Sequence, residues 1–561
     1  MQTERRLKTG KIGAMPLLNK YIDGCDLCGL FDRFVPSPAS SKIPTSSVLL
    51  FLLRNIMLSS FPLYRLSDWS LEYSPELLGL TPEQTGLLND DRIGRELERF
   101  FLADRSTMAT VFALRIIEFY DIEMNALHND STSISFHGDY NREAKFNKKP
   151  AALLHGFSKN HRPDLKQLVF NLVVSDDGAV PIHYRLYDGN VTDDTTHVKT
   201  WDSLREIVGH PDFIYVADSK LCTGKNMAHI SEQGGRFITV LPQTRKEYKE
   251  FVQRVEDNPV RGQALWYRGD NARASDHYRG YESSGFASQE GFRIVWIQSS
   301  QKKTQDAQVR KHRIETVEKK LTELAGKINK YSLKEEKDIC AQAEKILRDN
   351  KMEDCFSWRV KPYSRSFKKN LKRGRPGPAS VQKTVTETLY KLEWSLDKEA
   401  VRKKAHADGF FPLITNIEDI DMRDILKHYK YQPRLEKRHS HLKSVLEVAP
   451  VYLKSPERIE ALLFLYYIAL TIYALIERDM KKAMVMSGLK SIPIYPEKRE
   501  CKRPSAERLL DKLKNVSRHE LWENDELIQI FHSDLTDLQT NILKLLEVPL
   551  ELYGKDNSSR H

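Results

Sequence analysis

The sequence predicts a mixed α/β domain built around one mixed sheet. A helical domain precedes it, a β-rich insertion interrupts it and helices follow it. Three observations carry this prediction. From Asn125, short apolar runs and helical stretches follow one another as strand, strand, strand, helix, strand, helix, strand. The first 122 residues instead carry helix caps and helical spacing. Between residues 245 and 405 the alternation breaks, and helical spacing then returns. The expected segments are 1–122 (helical, for DNA binding or dimerisation), 123–244 and 406–485 (two parts of the core), 245–405 (insertion) and 486–561 (helical tail).

The elements follow in order. Ser46 is read as the cap of an apolar helix, and Asn89 or Asp90 as the cap of a helix through Phe101. The first three strands are Leu127–Phe136, Leu168–Val174 and Val180–Tyr187, the last stopped by Asp188-Gly189. A helix over 195–208, the apolar strand Phe213–Ala217, a helix over 225–232 and the strand Arg236–Leu241 complete the first half of the core. In the insertion, Val317, Leu321, Leu324 and Ile328 form a stripe on a long charged helix, the seam of a helical hairpin with residues 333–349. Thr386, Thr388, Tyr390, Leu392, Trp394 and Leu396 then line one face of a period-two strand.

Composition narrows the class. The 561 residues are 40% hydrophobic and 29% charged, with 26 Gly and 24 Pro, which excludes a disordered or collagenous chain. Six irregularly spaced cysteines with a single CxxC, Cys25 and Cys28, read as reduced thiols in a helical segment. The start of the chain lacks an apolar signal core. The uncharged stretch Ala461–Ile476 falls short of the roughly 20 residues a bilayer requires, so it is read as a buried helix and the protein as cytoplasmic. The net charge of +11 is concentrated: residues 359–383 hold nine cations and no acid, leaving +2 for the rest. Such a run without periodicity stays solvated unless a polyanion neutralises it.

Three acids suit metal-dependent phosphoryl transfer. Asp130 sits within the first strand, Asp218 closes an apolar strand, and Glu436 lies in a helical turn opened by Pro433. Carboxylates are the hard ligands Mg²⁺ prefers, and two ions roughly 4 Å apart stabilise both oxygens of an in-line displacement. A turn or helix cap accounts equally for Asp218, and the helix dipole accounts for Glu436. Asp139, Asp164, Asp188 and Asp193 fit the same composition.

Glu436 lies in Tyr429-Lys-Tyr-Gln-Pro-Arg-Leu-Glu-Lys-Arg-His-Ser-His-Leu-Lys443. This segment resembles the Y-x2-R-x3-E-x6-K signature of bacterial insertion-sequence DDE transposases of the insertion-sequence-four superfamily. Tyr429, Glu436 and Lys443 fall on its Y, E and K, and Gln432 stands where it has Arg. Asp130 in Asn129-Asp-Ser-Thr-Ser and Asp218 in Val216-Ala-Asp-Ser-Lys match the two preceding acids. The stretches His155-Gly-Phe-Ser-Lys-Asn-His-Arg-Pro-Asp-Leu-Lys-Gln, Asp188-Gly-Asn, Lys372-Arg-Gly-Arg-Pro-Gly-Pro and Leu88-Asn-Asp-Asp-Arg-Ile-Gly-Arg are similar to the subgroup numbered sixteen thirty-four. The likeness runs from about residue 10 to 515.

The resemblance implies an RNase H-like core with the insertion between its second and third acids. It implies two Mg²⁺ ions (Mn²⁺ as substitute) held by Asp130, Asp218 and Glu436, cleavage at inverted repeats, and attack of the freed 3′-OH on target DNA. It further implies a homodimer on double-stranded DNA in a bacterial, nucleoid-associated setting. Tyr429 and Lys443 would meet DNA. Seven residues apart, Glu436 and Lys443 would share one helix face, about 20° apart. Lys159 and Arg162 are expected on phosphates near the site, and Lys372, Arg373 and Arg375 on the DNA leading into it. Two other readings remain: a degenerate transposase that binds DNA without cutting, and a nuclease of similar core acting on another nucleic acid.

Overall fold

A computed structural model describes residues 5–140, 145–157, 162–265, 276–282, 287–330, 333–370, 382–446, 448 and 453–555. The chain divides into two compact units, Met1–Thr239 with His428–His561, and Val240–Lys427.

The first unit opens with a strand, β1 (Arg5–Lys11), followed by helices that include Thr45–Leu58, Asp90–Leu102 and Arg105–Tyr120. Asn89 caps the second of these, accepting from the Arg92 amide at 2.9 Å. Ser46 is not a cap: the helix starts at Thr45, one residue earlier, and the Thr45 hydroxyl bonds Glu96 at 2.9 Å. The core strands are β2 (Ala126–Phe136), β3 (Lys166–Ser175), β4 (Pro181–Tyr187), β5 (Ile214–Val216) and β6 (Arg236–Val240). They lie side by side as β4-β3-β2-β5-β6. β2, β3 and β4 are antiparallel neighbours, whereas β5 runs parallel to β2 and β6 parallel to β5. β3 is buried along nine of its ten residues, which is why it reads as an unbroken apolar run.

The stretch Ala461–Ile476 lies in a helix of 31 residues, Pro456–Met486. That helix is long and apolar enough to cross a bilayer, yet 94% of its most apolar window is buried inside the structure. Tyr467 stacks on Tyr184 of β4 at 4.5 Å, and Phe464 meets Phe100 of the N-terminal helices edge-on at 5.1 Å. The helix thus joins sheet to helical layer.

The second unit holds β7 (Gln263–Leu265), β8 (Tyr278–Tyr281) and β9 (Arg293–Ser299). A helical hairpin follows, Ser300–Ala325 and Glu336–Asp349. Val317, Leu321, Leu324 and Ile328 are buried against Ile339, Ala343 and Leu347, as the stripe predicts. Next come β10 (Phe356–Asn370) and β11 (Gln382–Leu396), paired antiparallel over their whole length. Arg359–Lys369 is therefore strand, not aperiodic loop. Both its faces are exposed, so burial imposes no alternation on its residues. Finally β12 (Phe410–Thr415) pairs antiparallel with β9.

The chain re-enters the first unit, where β13 (Ser517–Glu523) and β14 (Glu526–His532) are followed by a last α-helix, Asp537–Leu545. The two strands join β1 in a three-stranded sheet in the order β1-β13-β14. The all-α N-terminal domain and the helical tail are both corrected by this sheet. Its turn is Asn524-Asp525 with φ of 48° and 66°, the left-handed pair that tight hairpins favour.

Candidate functional site

The first two candidate acids lie on or just past neighbouring strands. β2 and β5 run parallel with His128 opposite Val216. Asp130 lies two residues past that pair, inside β2, and Asp218 two residues past it, beyond the end of β5. Local bonds orient both carboxylates. Asp130 Oδ1 accepts from the Ser131 amide at 2.8 Å, and Asp218 Oδ1 from the Lys220 amide at 2.9 Å. The Asp218 carbonyl accepts from Thr239 Oγ1 at 2.6 Å, tying the strand end to β6.

The third acid is carried by the helix Gln432–Ser440, with Pro433 in its first turn. Gln432, Glu436 and His439 form one stripe at helical spacing. Gln432 Nε2 donates to the Asn129 carbonyl at 3.2 Å, and His439 Nε2 lies 3.7 Å from Asp130 Oδ2. The two ends of the stripe thus rest on Asn129 and Asp130, with exposed Glu436 between them. Beneath, Arg438 is buried. It donates to the Ala179 and Gly178 carbonyls at 3.0 and 2.9 Å and to Glu477 at 2.8 Å. The sequence drew no attention to His439 or Arg438, whose only signal is their spacing from Glu436.

Tyr429 ends the preceding helix, Met422–Tyr429. Burial raises its phenol above the ordinary range, and the Asp218 and Glu436 charges raise it further. One hydroxyl therefore feels two of the three acids. Gln432, at the signature's Arg position, is committed to a backbone carbonyl. Arg434 lies over the Tyr431 ring, 4.6 Å from its centre.

Past Ser440 the helix of Glu436 runs on as a π-turn, His441–Val445, whose wider spacing turns Lys443 partly away from the face that a regular helix would give it. Lys443 lines a cavity of about 950 Å³ with Asp90, Asp91, Arg458 and Tyr466.

Lys159, Lys372, Arg373 and Arg375 lie outside the described residues. Arg162 is exposed and grips Asp164 through two bonds, 2.8 and 2.7 Å. Of the other acids, Asp188 accepts from the Ala152 amide at 2.7 Å, and Asp193 from Ser131 Oγ at 2.5 Å. Asp188-Gly189 is stitched to the segment after His155: Gln167 Nε2 donates to the carbonyls of Gly189 (2.8 Å) and Phe157 (3.2 Å). A Cβ on Gly189 would run into the Gln167 and Leu154 carbonyls. Gly189→Ala is expected to lower stability by about 1–3 kcal/mol, measured by denaturant unfolding.

Three carboxylates and a hydroxyl are a donor set for a hard cation such as Mg²⁺. The side chains do not close into a cage: among the described residues, no group of three His, Cys, Asp or Glu is placed to hold a metal ion.

The mixed α/β unit carries Asp130 within β2, Asp218 just past β5, and Glu436 on a helix that contacts Asn129 and Asp130. Residues 123–472 match the family model described as Transposase DDE domain. That match covers well over half of the chain, and the chain belongs to this family of DNA transposases of mobile elements. Residues 7–114 match a domain of unknown function, DUF4277. One similar solved structure is the cryo-EM piggyBac transposase synaptic complex with hairpin DNA. Its TM-score is 0.38 at 9% identity, covering 90% of this chain and 82% of that one, a likeness too slight to bear on residues. No curated protein matches the chain.

Proposed function

We propose that the protein cleaves DNA at the inverted repeats of its element and transfers the freed ends into target DNA, with Asp130, Asp218 and Glu436 as its catalytic carboxylates. The observation that supports this is that Asp130 and Asp218 each follow the last pair of the parallel β2–β5 register by two residues, with Glu436 on a helix that contacts Asn129 and Asp130. The order β4-β3-β2-β5-β6, antiparallel then parallel, supports an RNase H-like core. Tyr429 beside two of the acids supports the insertion-sequence-four reading.

Asp130, Asp218 and Glu436 would hold two Mg²⁺ ions, which supply charge stabilisation and an activated water when bound. The residues of the chain do the rest. Glu436 is solvent-exposed and can meet a phosphate without displacing packed side chains. Tyr429 keeps its proton and donates to a phosphate oxygen. His439 and Gln432 fix how the helix of Glu436 lies along β2. Lys443, Lys159, Arg162, Lys372, Arg373 and Arg375 contact the DNA backbone, Arg162 only by sharing its guanidinium with Asp164. Two copies act on paired ends.

The test is incubation of the full chain with duplexes carrying the inverted repeats that flank its gene. Nicking or cleavage at the repeat ends is expected with Mg²⁺ or Mn²⁺ and is expected to stop on chelation. The open arrangement of the three acids favours one second reading, a transposase that binds these ends without cutting them. Specific binding with no cleavage under any divalent ion would establish it.

A further inference from the structure

The antiparallel ribbon of β10 and β11 has two faces of different chemistry, and the register assigns every residue to one of them. One face pairs Trp358 with Trp394, Val360 with Leu392 and Pro362 with Tyr390. Of these, Trp358, Val360, Tyr390, Leu392 and Trp394 pack on the hairpin core around Val317, Leu321 and Leu347. Asn329 locks this end by bonding the Tyr390 amide (2.8 Å) and carbonyl (2.9 Å). Further out the same face is hydroxylic: Ser364, Ser366, Thr384, Thr386 and Thr388, with a Ser366–Thr386 contact of 3.1 Å. Lys368 is its one cation in the described residues.

The opposite face pairs Lys361 with Lys391, Tyr363 with Leu389, Arg365 with Glu387, Phe367 with Val385 and Lys369 with Lys383. Charged rows alternate with apolar rows: Lys361–Lys391 and Lys369–Lys383 are wholly cationic, and Arg365 stands opposite Glu387. Tyr363 and Phe367 stay 49% and 39% exposed. At the base, Arg359, Lys361 and Lys391 gather around Glu393 at 3.2, 2.7 and 3.6 Å. Further out, Arg365, Lys369 and Lys383 make no ion pair among the described residues. A two-stranded ribbon without a covering layer is marginal in water. Like charges concentrated on it make it more so, unless a polyanion lies there.

We infer that the face carrying Lys361, Tyr363, Arg365, Phe367, Lys369 and Lys383 is a docking surface for duplex DNA, and that the hydroxylic face is not. Charge complementarity commits the face to this occupant. Phosphates neutralise the cationic rows, and the exposed rings lie between them against the sugar edges. The contact is to backbone and independent of sequence. The inference rests on the transposase reading and adds to it which surface of the insertion meets DNA.

Neighbouring lysines on opposite faces provide the test. Lys369→Gln and Lys368→Gln remove the same charge one residue apart, both at exposed positions. Binding of the full-length protein to a random-sequence 30-base-pair duplex is measured across a salt series at about 0.05–0.3 M, conditions in which each lost phosphate contact reduces the slope by about 0.9. Lys369→Gln is expected to reduce the slope by about 1, and Arg365→Gln/Lys369→Gln/Lys383→Gln together by about 3. Lys368→Gln is expected to leave it unchanged. Equal slopes for the two lysine variants, or an unchanged slope for the triple variant, would overturn the assignment. Tighter binding to the single strand than to the duplex would overturn the choice of partner. Wild-type protein that binds no DNA would instead bring down the proposed function itself.

Discussion

Asp130→Asn, Asp218→Asn and Glu436→Gln are each expected to lower end cleavage by on the order of 10³-fold, a barrier increase of about 4 kcal/mol. DNA binding should persist. The amide keeps the shape of each side chain but loses the negative charge that would hold a divalent ion. Glu436 gives the cleanest case: it is exposed, so its substitution leaves the fold intact. Gel assays of cleavage and binding on one substrate separate the two effects. Full cleavage by all three amide variants would refute the site.

Arg438→Ala is expected to cost about 3–5 kcal/mol of folding stability, because it strands a buried acid. Glu477 has 12% side-chain exposure and Arg438 3%. Burial alone would raise the Glu477 carboxyl, but Arg438, then Lys437 and His441, outweigh it and hold the group at about 2. A depressed folded value means the stabilisation is full above the ordinary carboxylate range and is lost as pH falls toward 2. In the variant, burial dominates and the carboxyl rises. Its deficit relative to wild type should therefore shrink under acid, as the variant's raised Glu477 carboxyl takes up a proton at a pH where the wild-type group is still charged. Urea unfolding at pH 7 and pH 3.5 measures the difference; an equal deficit at both would place the cost elsewhere. Because Arg438 is two residues from Glu436, cleavage should also fall.

How much of this was legible depends on what each segment buries. β3 and β5 stand out in the sequence because both of their faces are covered, which leaves an unbroken apolar run. The stripe Val317, Leu321, Leu324 is legible for the same reason. β10 is not: with water on both faces along Lys361–Lys369, nothing forces alternation. β1 is polar throughout and gains its partner from residues 517–523, a pairing no local pattern encodes. The π-turn at His441 changes hydrogen-bond spacing, and the residues there read as ordinary helix. In the candidate site, residue types alone do not separate Asp130 and Asp218 from Asp139, Asp164, Asp188 or Asp193; the resemblance to the transposase signature picks out Asp130, Asp218, Glu436 and Tyr429. What the sequence lacks is the parallel pairing of β2 with β5 and the contacts of Gln432 and His439 that bring the helix to Asn129 and Asp130.

The buried helix Pro456–Met486 also constrains the order of events at the ribosome. Phe100, Phe112 and Tyr184 are made early, yet their ring partners Phe464 and Tyr467 come late. At about 5–20 residues per second, the earlier faces wait tens of seconds for their cover. During that interval the nascent chain presents an apolar surface and a helix-shaped vacancy. The N-terminal helices therefore cannot reach their final packing while synthesis is in progress, and a chain halted before residue 456 is a substrate for chaperones or proteases. The packing of the first unit is thereby tied to translation through Tyr467.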